Sequence, residues 1–167
     1  FHNSTPNARM RIITGHQFAI RDLNMMTKIF SRNGNGKLNL KPEFIRDVKL
    51  EQIRRLVIEG NLMFKIAIPN SEEVDGAFSE KIGIFRDTNG DTVAFSGTSS
   101  IMLAGQNRNF ESIDVFTSWN DKSRVETKIY DFEKLWTNET HSVNVYDFNY
   151  ADNHNLLKYS SEWAISL

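Results

Sequence analysis

Between Phe78 and Ser118 stand the residues whose types and spacing could do chemistry: Ser79-x-Lys81, Asp87, the run Gly97-Thr98-Ser99-Ser100, and Glu111. A lysine ammonium at a strand end binds phosphate as a point charge, and an ion pair with Glu111 is the structural alternative for Lys81. The Ser79 hydroxyl is a poor nucleophile unless a base lies beside it, and the motif supplies none. The elements that must position these residues are two strands and a turn. Asn89-Gly90 can take the positive backbone angles of a two-residue hairpin joining the runs 81–86 and 92–96. Such a hairpin brings Ser79 and Lys81 close to a Gly97 loop, with a third strand opening at Glu111. Asp87 reads as a turn residue of the hairpin.

This layout resembles the phospholipase D-like nuclease domain of restriction and helicase-linked DNA-processing proteins. The family pattern is roughly His-x-Lys, a strand, Asp, a hairpin, Gly-Ser-x-Asn, and Asn-Phe-Glu-Ser opening the next strand. Lys81, Asp87, Gly97, Asn109, Phe110, Glu111 and Ser112 fall into it. The opening run Ile12 to Leu23 is similar to the start of the same domain. Ser79 stands where the family has its nucleophilic histidine, Thr98 replaces the small serine, and Ser100 stands in the asparagine slot.

The resemblance implies a phosphodiesterase that uses neither metal nor cofactor. One histidine attacks phosphorus and a second, from a paired motif, protonates the leaving oxygen, while lysine and asparagine hold the phosphoryl oxygens. The catalytic slots here are Ser79, Lys81, Thr98, Ser100 and Glu111, the last being the orienting carboxylate. With the nucleophile and phosphate-holding slots both changed, the site reads as degenerate, which leaves DNA binding or dimerisation as the expected role. The alternative is an active, metal-independent DNA endonuclease with a rearranged site, for which His16 and His154 are the substitute histidines. A lipid substrate ranks third. The single motif copy implies a homodimer joined through the motif face, and helicase or other domains of a longer chain are the further partners expected.

At 167 residues the chain is long enough for one domain with a real core and too short for two ordinary ones. Its 20 basic and 21 acidic residues exclude a global attraction to nucleic acid, so any DNA binding must come from a local patch. Cysteine is absent, which excludes disulfides and thiolate metal sites. No apolar run has the length of a membrane-spanning helix and no signal-peptide plan opens the chain, so a cytoplasmic protein without membrane association is expected. The start at Phe1 suggests a domain excised from a longer protein.

In chain order, 1–8 reads as a flexible arm and 9–167 as the nuclease-fold domain. Residues 9–14 form a strand, and 21–30 a helix with Leu23, Met26, Ile29 and Phe30 on one face and Asp22 as its cap. The Asn33-Gly34-Asn35-Gly36-Lys37 run is a turn, because a phosphate loop needs a different glycine spacing. Residues 50–59 form a helix burying Leu50, Ile53 and Val57, exposing Arg54, Arg55 and Glu59, and stopped by Gly60. The near-continuous apolar run 61–68 reads as a strand covered on both faces. The 70–77 loop is acidic and solvated. A strong amphipathic helix over 124–136 places Val125, Ile129, Phe132 and Trp136 inward. A strand over 142–148 and a helix around Leu156, Leu157 and Tyr159 complete an α/β fold. The expectation is one domain with a mixed, mostly parallel sheet of six or seven strands, flanked by helices on both faces.

Overall fold

The computed structural model describes residues 8–30, 48–70, 78, 80–98 and 112–160. In order along the chain they form β1 (Met10–Gly15), β2 (Gln17–Ala19), α1 (Ile20–Phe30), α2 (Val48–Ile58), β3 (Leu62–Pro69) and β4 (Glu80–Arg86). There follow β5 (Thr92–Thr98), β6 (Ser112–Thr117), α3 (Lys122–Trp136), β7 (Val143–Asp147), α4 (Phe148–Asn153) and β8 (Lys158–Ser160). The α/β class is therefore present. Among the described residues the strands sort into a three-stranded sheet ordered β1-β3-β7, a pair β2-β8, and a three-stranded sheet ordered β4-β5-β6. Strands β2 and β8 pair in parallel, whereas β4-β5 and β5-β6 are antiparallel. The antiparallel sense of β4-β5 follows from a connection over 87–91 that is too short for a crossover.

The described residues divide into two compact units, one holding 8–30, 48–66 and 146–160, the other 67–70, 78, 80–98 and 112–145. In the first unit the core is aromatic. The Phe148 ring stacks on Phe30 at 4.9 Å and meets Phe18 edge-on at 6.4 Å, while Phe30 meets Phe64 at 6.1 Å. Met26 and Ile29 of α1 are buried beside Phe30, as the helical spacing predicts. Asp22 lies in the first turn of α1 rather than capping it, where its charge still suits the positive helix end.

Helix α2 corrects the expected face. Arg54 is buried at 4% exposure, whereas Ile53 is 37% exposed. The guanidinium donates to the Lys28 and Ile29 carbonyls at 2.5 and 2.6 Å. These carbonyls lie in the last turn of α1, where the helix leaves acceptors without intrahelical donors and carries partial negative charge. A periodicity count assigns every arginine to solvent, and this one is drawn inward by a helix end supplied from elsewhere in the chain. Burial pulls its pKa below the ordinary guanidinium value.

In the second unit α3 packs against all three strands of the β4-β5-β6 sheet. Val125 and Leu135 are its buried residues, and Ile129, Phe132 and Trp136 are half-buried. On the sheet, Ala94 is fully buried, and the Arg124 guanidinium lies 5.3 Å from the centre of the Phe116 ring. Residues Ile84, Ala94 and Phe116 share one row of the ladder and so share that covered face. The other face carries the rows Gly83-Phe95-Val115 and Phe85-Val93-Thr117. There the Phe95 ring lies over Gly83, so close that a Cβ at 83 would sit 2.0 Å from it, and it stacks on Phe85 at 6.0 Å.

Towards the C-terminus two expectations give way. Phe148 opens α4 instead of ending β7, and its side chain is a core anchor. No helix forms around Leu156, Leu157 and Tyr159. Asn155, at φ 55°, ends α4, and the Lys158 amide donates to the His16 carbonyl as β8 pairs with β2.

Candidate functional site

The site proposed by the motif lies at one end of the β4-β5-β6 sheet, and the ladder register says which of its positions meet. Lys81 of β4 faces Gly97 of β5, which in turn faces Ile113 of β6. On the next rung Glu80, Thr98 and Ser112 stand side by side. The hairpin therefore brings the Lys81 position to the Gly97 position, as its sequence requires. Gly97 and Thr98 correct the expected loop, since both are paired residues of β5. Backbone alone is described for Lys81 and Thr98, and Ser79, Ser100 and Glu111 lie outside the described residues, as do Asn109 and Phe110.

The opposite end of the hairpin sets this register. Asp87 accepts hydrogen bonds on Oδ1 from the Asn89 and Asp91 amides, both at 2.9 Å. Its own amide donates to the Asp91 carbonyl, and its carbonyl accepts from Gly90. This confirms Asp87 as the turn residue and corrects the turn type. Only Gly90, at φ 92°, has a positive angle at the tip, so the loop is a three-residue turn with glycine in the left-handed position rather than a two-residue one. Thr92 locks the first rung. It is buried, its hydroxyl donates to the Gly90 carbonyl and accepts from Arg86 Nε, and its amide donates to Ser118 Oγ.

The two histidines weighed as substitutes, His16 and His154, occupy different settings in the first unit. His16 is buried just before β2 and its carbonyl accepts from Lys158. His154 is exposed at the end of α4, where its ring stacks on Tyr150 at 3.9 Å and its Nδ1 lies 2.8 Å from the Tyr150 carbonyl oxygen. Tyr150 stacks in turn on Tyr146 at 5.1 Å. This ladder of rings at four-residue steps was open to a helical reading of 146–154, yet nothing about its residue types marks it as chemical. Beside it a cleft of about 470 Å³ is lined by Thr27 and Phe30 of α1 and by Asp147, Asn149, Tyr150, Asp152 and Asn153.

Among the described residues no three acidic, histidine or cysteine side chains converge as metal ligands. No described helix is long and apolar enough to cross a membrane. Two basic residues of α3 have local partners: Lys122 reaches Glu126 at 3.9 Å, and the Lys134 amine lies 4.7 Å from the Tyr130 ring centre. A hydrogen bond to Tyr130, then the Tyr130 oxygen's charge, raise the Lys134 pKa, with Glu139 and Asp131 adding to this against slight desolvation. No family model matches the chain, and no curated protein or solved structure matches it either.

Proposed function

We propose that this chain is a phospholipase D-like nuclease-fold domain of a restriction or helicase-type DNA-processing protein, with a degenerate active site that serves DNA binding or dimerisation. The supporting observation is the register that sets Lys81 opposite Gly97 and places Thr98 beside Ser112. A phosphate site of that family needs its lysine strand and its glycine-serine strand to end together. The reading carries with it the family's mixed, mostly parallel sheet flanked by helices on both faces, a cytoplasmic setting, and a homodimer through the motif face. Serine at 79 supplies no imidazole to attack phosphorus, and serine at 100 is a shorter donor than the family's asparagine.

Chemistry and binding separate in one experiment on the purified chain. It is expected to leave DNA and an activated phosphodiester uncut, with or without chelator, and still to retard DNA in a gel. Retardation should weaken as salt rises, since phosphate contacts release counterions, and Lys81→Ala should lower both the affinity and its salt slope, by about one unit for one lost contact. The double replacement Ser79→His with Ser100→Asn should gain cleavage that resists chelator. Chelator-resistant cleavage by the unaltered chain, lost in Lys81→Ala, would instead establish the active endonuclease. Neither cleavage nor salt-sensitive binding in any variant would remove DNA from the account.

A further inference from the structure

The Asn89-Gly90 step at the hairpin tip has a chemistry of its own, separate from the proposed phosphate site. Both residues are exposed, and nothing lies within 4 Å of where a Gly90 side chain would begin. An asparagine amide is attacked by the backbone nitrogen of the next residue only when that nitrogen can swing to the side-chain carbonyl, and glycine, having no Cβ, leaves the approach least hindered. The Gly90 amide is held weakly, by a single 3.3 Å bond to the Asp87 carbonyl, which is beyond the usual range for such bonds. Asn89 keeps an ordinary negative φ, and its own amide is held by Asp87 Oδ1, so the backbone before the reacting side chain is steadied while the nucleophile after it is loosely tied.

We infer that Asn89 is a site of spontaneous deamidation through a cyclic imide. The Gly90 nitrogen gives up its proton to solvent base and bonds to Asn89 Cγ, the Cγ–Nδ2 bond breaks, and ammonia leaves. Water then opens the ring. Cleavage at the side-chain carbonyl yields aspartate, and cleavage at the main-chain carbonyl yields isoaspartate with the chain rerouted through Cβ. One water is consumed, one ammonia is released, and nothing is oxidised or reduced.

Either product adds a negative charge between Asp87 and Asp91 and takes the formal net charge one unit below −1. Isoaspartate also lengthens the backbone inside the turn that sets the β4-β5 register. The modification thus acts on the pairing of Lys81 with Gly97 from the far end of the hairpin.

The test incubates the folded chain at mildly alkaline pH and maps it by tryptic digestion and mass spectrometry. Cleavage after Arg86 and Arg108 isolates Asn89 from the Asn-Gly steps at 33–36, and fragmentation distinguishes it from Asn107. Asn89 should gain the amide-to-acid mass several-fold faster than Asn120 and Asn144, faster still as pH rises, and with isoaspartate among the products. Asn89→Gln should abolish that gain while leaving the circular dichroism spectrum unchanged. An Asn89 that stays intact in the folded chain overturns the inference, whether or not the excised peptide changes. A rate at Asn89 no greater than at Asn120 and Asn144 overturns it too.

Discussion

Arg54 shows how one side chain can be legible in type and illegible in place. Its position in the 50–59 pattern was on the outer face, and it is buried because α1 ends beneath it with the Lys28 and Ile29 carbonyls unmet by its own helix. Periodicity counts apolar residues and carries no information about which distant carbonyl needs a donor. Replacing Arg54 by Met keeps much of the apolar stem and removes the donors. Leaving buried acceptors unmet costs about 1–3 kcal/mol, so Arg54→Met should lower the unfolding free energy by that amount, seen as a lower urea midpoint with little change in slope. Arg54→Lys, with one ammonium for two carbonyls, should fall between. A midpoint unchanged in Arg54→Met would mean that this contact contributes nothing net. Gly83 is the companion case. Its sequence neighbours read as a plain strand, and only the Phe95 ring lying against it explains the absent side chain.

At the scale of elements, the legible parts were those governed by local rules. Helices α1, α2 and α3, strands β1, β3, β4, β5 and β6, and the hairpin between β4 and β5 fall where spacing and turn residues put them, except that β5 runs on through Gly97 and Thr98 and the turn is a three-residue one. Missing from view was what partners decide. The step from β7 into α4 at Phe148 and the pairing of β8 with β2 depend on an aromatic core and on the His16 carbonyl, which are remote in sequence. The ends of α2, α3 and α4, by contrast, share one local device. Gly60 after α2, Asn138 after α3 and Asn155 after α4 all have positive φ, near 73°, 62° and 55°. In each the following amide reaches back to close the last turn, Asn61 to Leu56, Glu139 to Lys134 and Leu156 to Ala151. Asn138 adds a 2.6 Å bond accepted from the Val145 amide, so it ties the helix end to β7. Because a Cβ at Gly60 meets no neighbour, Gly60→Ala isolates the backbone term. The left-handed conformation costs roughly 1–2 kcal/mol for an L-residue, and chemical denaturation should show a loss of that size. Equal or greater stability in Gly60→Ala would show that the helix end relaxes to another conformation.

For the whole molecule the consequence concerns assembly. Of the candidate site, the meeting of the Lys81 and Gly97 positions was legible because the hairpin dictates it, while Ser79, Ser100 and Glu111 lie outside the described residues and depend on chain beyond the hairpin's local rules. A single motif copy makes the proposed function depend on a two-fold pair, in which every contact occurs twice. Ile113 shares the rung of Lys81 and Gly97 and is 59% exposed, so a charge placed there leaves the core of the unit untouched. If the motif faces meet, Ile113→Lys puts two lysines into one interface. At about 1 kcal/mol for each, the dissociation constant should rise roughly thirtyfold. Sedimentation equilibrium over a range of concentrations should therefore find a dimer in the unaltered chain and a shift towards monomer in Ile113→Lys, with unfolding midpoints compared at matched concentration to confirm the fold. A chain that stays monomeric at the highest concentration would sink the dimer. A dimer indifferent to Ile113→Lys would place the interface away from the motif rung and leave each copy of the motif acting alone.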